Sequence, residues 1–530
     1  MPRYNGSDTA AGVYGGEEDN SFSPSSTYPS TGAIVGASNR GPVGVPTRVT
    51  SKNEFRRRFG RRNAQLTFAH FCAERFLTRA NSLWFYRPDN ESNYGSFRVR
   101  RIDGFSLPVA STTGYLNPDD FGFEPEEILF IYGANPGSWN NNIRVNMYPD
   151  VNDLENELFI VDVYEDNYSV PVESYRCTLR ERVINGVQMN IEYQLLNADS
   201  RIRARVNRDN PQYEADDSVR LINAILSADL THGDDGRPFT DADIINGWEE
   251  FDNPDDYDIR LLINAGYATP AVQVAMVQLA ESRRDCFAIL DTPANMQSAA
   301  QAVNYRRNIL NLNSSFGAIY CNDILEVTDE GQKIYVPSSG AIASAYAYTD
   351  TVASLWFAPA GVERGVIENI EGIRVKYDLG QRNMLDQNQV NYIHKFSGYG
   401  YCIWGAQTLQ SQKSALQDIN VRRLVNHIET TAKYDALVGV YEPNDPILWE
   451  ELKNTVDKIL RPIKAGRGLY AYGVQCDEKL NTPDIIADGD VILVYMIQPT
   501  RYAKRILFTT TVAATGQLST AVEFVTNTAA

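Results

Sequence analysis

The sequence predicts a multidomain protein of mixed α/β and α+β class: an α/β core sheet, an inserted mostly antiparallel β domain, an α+β C-terminal domain, and strand-forming segments at both ends. Three observations predict it. Around residues 256–293 the run "DYDIRLLINAG" is nearly all apolar, Pro270 then opens "AVQVAMVQLAESRRD", and "CFAILDTP" follows. Val272, Met276, Leu279 and Ala280 fall on one helical face, so strand, helix and strand imply a parallel βαβ crossover. From about 95 to 240 the texture changes to alternating segments such as "NNIRVNMY", "LFIVDVYE", "SYRCTLRERV" and "MNIEYQLL", set apart by Gly, Asn, Pro and Asp. Period-two alternation with turn punctuation marks antiparallel strands. Past residue 396 helical and strand patterns mix without a parallel repeat.

Taken in chain order, "GVY" at Gly12, Val13 and Tyr14 stands alone, with some twenty residues of Ser, Pro, Asn and acid before the next apolar segment. "TGAIVGASNRGP" reads as a strand closed by a Gly-Pro turn, "SKNEFRRRFG" as a short capped helix, "AQLTFAHFCAERFLTRA" as a helix, and "SLWFYRP" as a buried strand. After the alternating region and the βαβ unit come the strand "GYGYCIWGAQTL", a helix through "VRRLVNHIETTA", and the turn "YEPNDP". Asp445 or Asn444 can cap the next helix, "ILWEELKNTVDKILRPIKAG", with Pro446 at its first position, where a missing N–H costs nothing. The strands "LYAYGVQCD" and "GDVILVYMIQP" follow. Beyond Pro499, "RYAKRILFTTTV" and "GQLSTAVEFV" are β-prone, with no helix to cover them. The expected division is 1–30 N-terminal arm and linker, 31–94 plus 245–395 core, 95–244 insertion, 396–500 C-terminal domain and 501–530 C-terminal arm.

Composition narrows the function. The chain has 530 residues, 43% of them hydrophobic, enough for several real cores. A net charge of −18 argues against nucleic acid, whose binding draws on Lys and Arg. The basic run "FRRRFGRR" reads as a solvated face or an ion-paired helix end, with nucleic-acid or anion binding as the alternative. Six dispersed cysteines without a CxxC pair read as reduced, mostly buried thiols; no signal peptide and no membrane-spanning run is expected.

Motifs for chemistry are absent from the pattern. His70, His232, His394 and His427 stand at no metal-ligand spacing, and there is no GxxxxGK[ST] loop or GxSxG elbow. Gly398, Gly400 and Gly405 do not make a dinucleotide fingerprint, and "PSSG" at 337–340 reads as a turn. No cofactor is expected. The one enzymatic alternative is a hydrolase-like site at the strand ends near Asp291, a position where α/β enzymes place catalytic groups. Glu249, Glu250, Asp255 and Asp256 read as solvated loop charge or as metal ligands of last resort, with no spacing to support the second reading.

Ordered segments carry a resemblance. "GVY", "GAIVGASNRGPVGVPTRVTSKNEFRRRFG", "NPGSWNNNIRV", "LLINAGY" with "LAESRRDCFAILDTP", "VPSSGAIASAYAYTD" with "LWFAPAG", "WGAQTL", "INVRRLVNHIE", "YEPNDPILWEEL" and "GLYAYGVQCDEKLNTPDIIADGDVILVYMIQP" follow in that order. In this series the chain resembles the contractile tail sheath proteins of bacteriophages and related injection systems. It departs in having Gly15 and Gly16 after "GVY" and an added "GQLSTAVEFV" near its end. The resemblance implies a structural, non-enzymatic subunit of the virion tail, assembled in the host cytoplasm as stacked hexameric rings around a tail tube. It implies as partners further copies of the chain, the tube protein, and baseplate and tail terminator proteins, with no nucleic acid and no membrane insertion. Terminal arms exchange strands between subunits, which gives that role to Gly12, Val13 and Tyr14 at one end and to Ile506, Leu507, Phe508, Val522 and Phe524 at the other. A C-terminal-domain helix faces the tube, here with Lys453, Lys458, Arg461 and Lys464.

Overall fold

A computed structural model describes residues 30–506 and Phe508, except 39, 63–67, 103–104, 152–157, 167–168, 211–212 and 214–224. Its centre is a nine-stranded sheet, in spatial order Val366–Ile367, Gly400–Trp404, Val390–Phe396, Gly317–Cys321, Phe287–Asp291, Leu261–Ile263, Gly32–Val35, Leu83–Tyr86 and Thr47–Val49. The six strands from Val390–Phe396 to Leu83–Tyr86 run parallel, and antiparallel strands close both edges. Apolar runs are needed in the middle because helices cover both faces. Leu261 and Ile263 point to one core with Phe287 and Ile289, while Leu262 points to the other with Ala288 and Leu290.

Helices Lys52–Phe59, Ala69–Phe76 and Ser339–Val352 build the first face. Ser51 accepts from the Glu54 N–H to cap the first of them, and Gly60 ends it at φ 92°, a backbone that other residues rarely adopt. The other two helices cross so closely that a Cβ on Gly340 would lie 2.4 Å from the Cys72 Cα. Helices Asp241–Glu249, Pro270–Arg283, Ala299–Asn304 and Leu379–Gln387 cover the second face. The predicted βαβ unit is present as Leu261–Ile263, Pro270–Arg283 and Phe287–Asp291.

Between Leu83–Tyr86 and Asp241–Glu249 the chain forms two four-stranded antiparallel sheets. Phe97, Leu129 and Ile131 of one sheet share a core with Val145, Val161 and Val163 of the other. One expected strand of this region is a helix: "MNIEYQLL" folds as Ile191–Asn197. Asn190 Oδ1 accepts from the Glu192 and Tyr193 N–H groups, and Ile191 and Leu195, one turn apart, carry the burial. "PSSG" is also not an isolated turn, since Ser339 and Gly340 begin the fourteen-residue Ser339–Val352 helix.

The C-terminal part pairs the helices Ile419–Asp435 and Pro446–Ala465 over Leu424, Ile428, Val456, Leu460 and Ile463. Asp445 takes the cap, accepting from Ile447 and Leu448, whereas Asn444 accepts from the Trp449 indole at 2.8 Å. All six cysteines are buried and free. Among the described residues no helix is long and apolar enough to cross a membrane.

Candidate assembly interface

Against the second helix lies a sheet of two strands only, Leu469–Gln475 antiparallel to Val494–Pro499. Its inner side chains Tyr472, Val474, Tyr495 and Ile497 pack on the helix pair. The opposite face, with Ala471, Gly473, Gln475, Val494, Met496 and Gln498, is exposed, Met496 to 74%. Neither outer edge pairs with another strand among the described residues. Two strands are marginal by themselves, and natural sheets usually blunt an exposed edge. Here the pair is propped from behind and stapled at its far end, where buried Asn481 accepts from the Ile492 N–H and donates to its carbonyl.

Both ends of the described chain are fastened. Ser30 donates to Asp350, whose other oxygen lies 2.9 Å from Arg423 on the Ile419–Asp435 helix. At the other end the Thr500 N–H donates to the Gly468 carbonyl, Arg501 pairs with Asp418, and Lys504 with Asp386 at 3.0 Å. Tyr502 lies half-buried between them against the central core, its phenol pushed up by burial. Residues 501–506 pair with no strand among the described residues, and Ile506 and Phe508 are 72% and 90% exposed. Gly12, Val13, Tyr14, Leu507, Val522 and Phe524 lie outside the described residues.

The four cations of helix Pro446–Ala465 differ in surroundings. Lys453 pairs with Glu450 at 3.0 Å, exposed Arg461 pairs with Asp457, and Lys464 sits 5.7 Å above the Tyr472 ring. Asp457 also accepts from the Tyr472 hydroxyl, which leads the causes holding its carboxyl low. Lys458 is exposed and has no side-chain partner among the described residues.

Residues singled out for chemistry are structural. Asp291 is 2% exposed, and its two oxygens accept from the Ser339 N–H at 2.9 Å and the Gly266 N–H at 3.1 Å. It joins the end of its strand to the start of a helix, and burial pushes its carboxyl up to about 7. A carboxylate so enclosed offers no face to a substrate, so the hydrolase alternative is set aside. His70 donates to the Arg61 carbonyl in the core, and burial lowers it to about 4. The basic run is an ion-paired helix end: Arg56 makes two bonds to buried Glu74, at 2.6 and 2.8 Å, and Arg62 reaches Glu74, Glu326 and Asp329. No group of His, Cys, Asp and Glu suited to a metal ion occurs among the described residues.

Sequence reasoning missed Asp418, Asp386 and Tyr502 as anchors and the bare edges of the two-stranded sheet. Strand pattern signals a strand, while the absence of a neighbour leaves no mark in it.

Two adjacent family models match the chain: the phage tail sheath protein central domain over residues 238–409, and the phage tail sheath C-terminal domain over 411–513. The tail sheath protein of Enterobacteria phage T4 is 28% identical over 301 residues, 52% of this chain and 45% of the relative. The chain thus matches less than half the length of that curated relative. In fold it is similar to the sheath tail protein of Listeria innocua, with TM-score 0.56 and 10% identity over 89% of this chain and 95% of that one. It is likewise similar to the contracted sheath complex of the extracellular contractile injection system PVC, with TM-score 0.51 and 14% identity over 95% and 98% of the two chains.

Proposed function

The chain belongs to the phage tail sheath family, and from that premise we propose that it is a structural subunit polymerising as stacked hexameric rings around a tail tube. Contraction of that stack drives the tube through the host envelope. The observation that carries this reading is the two-stranded sheet 469–475/494–499, whose two outer edges pair with no other strand among the described residues, one edge for each of the two proposed arms.

In this reading one edge receives the N-terminal arm of one neighbour, around Gly12, Val13 and Tyr14, and the other receives the C-terminal arm of a second neighbour. The C-terminal candidates are Ile506–Phe508 and the segment with Val522 and Phe524. Strand addition joins chains through main-chain hydrogen bonds. At roughly 0.5–1.5 kcal/mol net for each bond, a five-bond strand contributes on the order of several kcal/mol per joint. The polar linker 17–30 pivots while those bonds stay closed, so subunits slide without separating. A head-to-tail exchange whose rotation does not close generates a helix, and two packings of rigid bodies provide the extended and contracted states.

Helix Pro446–Ala465 is the proposed tube-facing element, through Lys458 and Arg461 with Lys453 and Lys464 beside them. The other partners are the baseplate and a tail terminator, the location is the virion tail, and assembly takes place in the host cytoplasm. Electron microscopy of the purified chain at rising concentration, with and without tube protein, tests the reading. Helical tubes that disappear when residues 1–20 are deleted, leaving folded soluble monomers, are expected; compact monomers under every condition overturn it.

A further inference from the structure

Two clefts of opposite charge lie at opposite ends of the central sheet. The first, about 290 Å³, opens beyond the carboxyl end of Gly32–Val35, between the core and the antiparallel domain. Five arginines, Arg40, Arg57, Arg58, Arg201 and Arg203, line it against Glu173 and Asp199, in a chain whose net charge is −18. Arg40, Arg201 and Arg203 are engaged with Glu165, Glu173 and Asp199. Arg57 is exposed and makes no hydrogen bond or ion pair among the described residues; Arg58 leans on Glu54 at 3.3 Å.

The second cleft, about 360 Å³, opens at the amino ends of Leu261–Ile263 and Phe287–Asp291. Asp255, Asp256, Asp258 and Asp285 line it against Arg48 and Arg260. Arg260 is taken by Asp258 and Asp285, at 2.8 and 3.5 Å. Asp255 and Asp256 are exposed and, among the described residues, bonded only to neutral side-chain donors, the Tyr434 hydroxyl and the Asn253 amide, at 3.1 and 2.7 Å. Among the described residues each cleft therefore keeps charged side chains without an ion-pair partner, Arg57 in one and Asp255 and Asp256 in the other, and the signs are opposite.

We infer that the arginine cleft of one copy docks the Asp255–Asp256 loop of the next, forming a second contact between sheath subunits alongside strand exchange. The inference rests on the polymerisation reading above. Strands of four or five residues separate the two clefts by on the order of 15 Å along the sheet. A surface at one end that fits a surface at the other is heterologous, so it propagates in one direction, as a helical stack requires. Its charges lie at rims open to solvent, so its strength falls with salt as the Debye length shrinks from about 10 Å at 0.1 M. Complementary charge at such rims acts chiefly on association rate and register.

The test uses the full chain in three forms: Arg57→Glu with Arg58→Glu, Asp255→Arg with Asp256→Arg, and all four changes together. Folding is checked by circular dichroism, and assembly is followed by light scattering at low and high salt. Each pair alone is expected to slow low-salt assembly about tenfold or more, the scale on which electrostatic steering works. The four-fold variant, and an equimolar mixture of the two pair variants, recover it, because reversed clefts again meet opposite charge. Folded pair variants that assemble at the wild-type rate with wild-type salt dependence overturn the inference, as does the absence of recovery in both the mixture and the four-fold variant. A wild-type chain that never assembles removes the sheath reading itself, an outcome distinct from either of these.

Discussion

The guanidinium of Arg501 lies 2.5 Å from the carboxylate of Asp418, one residue ahead of the Ile419–Asp435 helix. The pair fixes where the last described segment lies on the subunit. Lys504 on Asp386 and Tyr502 on the central core extend the same fastening over four residues. An arm aimed from a fixed base spends less conformational entropy in reaching a neighbour than one free from residue 500 onward.

Loosening that base should cost assembly more than stability. Asp418→Ala removes an ion pair in which Arg501 is half exposed, so a loss of about 1 kcal/mol or less is expected from the pair. Tyr502→Ala adds the loss of a half-buried ring. Thermal unfolding should shift by only a few degrees, whereas the critical concentration for polymerisation, read by sedimentation, should rise several-fold. An unchanged critical concentration would show that the arm's direction is set elsewhere.

Glu74 should behave differently, because it is 2% exposed and receives Arg56, Lys52 and Arg62. Glu74→Ala strands these cations at the end of helix Lys52–Phe59. Removing one member of such a buried network typically costs about 3–5 kcal/mol. Urea denaturation should show the midpoint falling well below wild type, while Arg57→Ala, on the same helix but exposed and without an ion pair among the described residues, should leave it nearly unchanged.

Asp291 gives a pH prediction. Its carboxyl is held near 7 in the fold against 3.8 for an ordinary aspartate, so the folded state binds the extra proton between those values. Stability from this group is fully present below about pH 4 and is lost as pH rises through 7. Buried His70 and His427, lowered to about 4, slope the other way over pH 4–6.5, and Asp323, raised to about 6, adds to the first trend. The whole-protein curve therefore mixes opposing slopes, and the informative quantity is a difference. Relative to wild type, Asp291→Asn should gain a few kcal/mol of unfolding free energy between pH 4 and 7, measured by urea titration at each pH. A constant difference would mean that Asp291 is ionised throughout.

How far the fold was legible follows from particular residues. "LLINAG", the Pro270 helix and "CFAILD" announced a parallel crossover because strands buried on both faces must be apolar throughout. "MNIEYQLL" misled because Ile191, Tyr193 and Leu195 alternate as a strand would, while Ile191 and Leu195 also sit one helical turn apart. The cap at Asn190 decided between them. Asp291 drew attention by its place at a strand end, yet only the tertiary fold reveals that two main-chain N–H groups enclose it. The two-stranded sheet was legible as strands, but its open edges belong to what is not beside them.

The tube-facing helix offers the sharpest separation of readings. Spacings on Pro446–Ala465 gather Lys453, Lys458, Arg461 and Lys464 loosely on one side, but their surroundings rank them. Lys453 is tied to Glu450 and Lys464 lies over Tyr472, whereas Lys458 has no side-chain partner among the described residues and Arg461, although paired with Asp457, is 76% exposed. If this face meets an acidic tube, Lys458→Glu with Arg461→Glu should abolish co-assembly with tube protein at low salt and leave arm-driven self-association intact. Lys453→Glu should weaken co-assembly only slightly, because that lysine is already neutralised within its own helix. No effect at low salt from any of these changes would mean that the face is simply solvated and that the tube is gripped through another element, whereas an equal loss from all three would mean that the internal ion pair of Lys453 does not shield it.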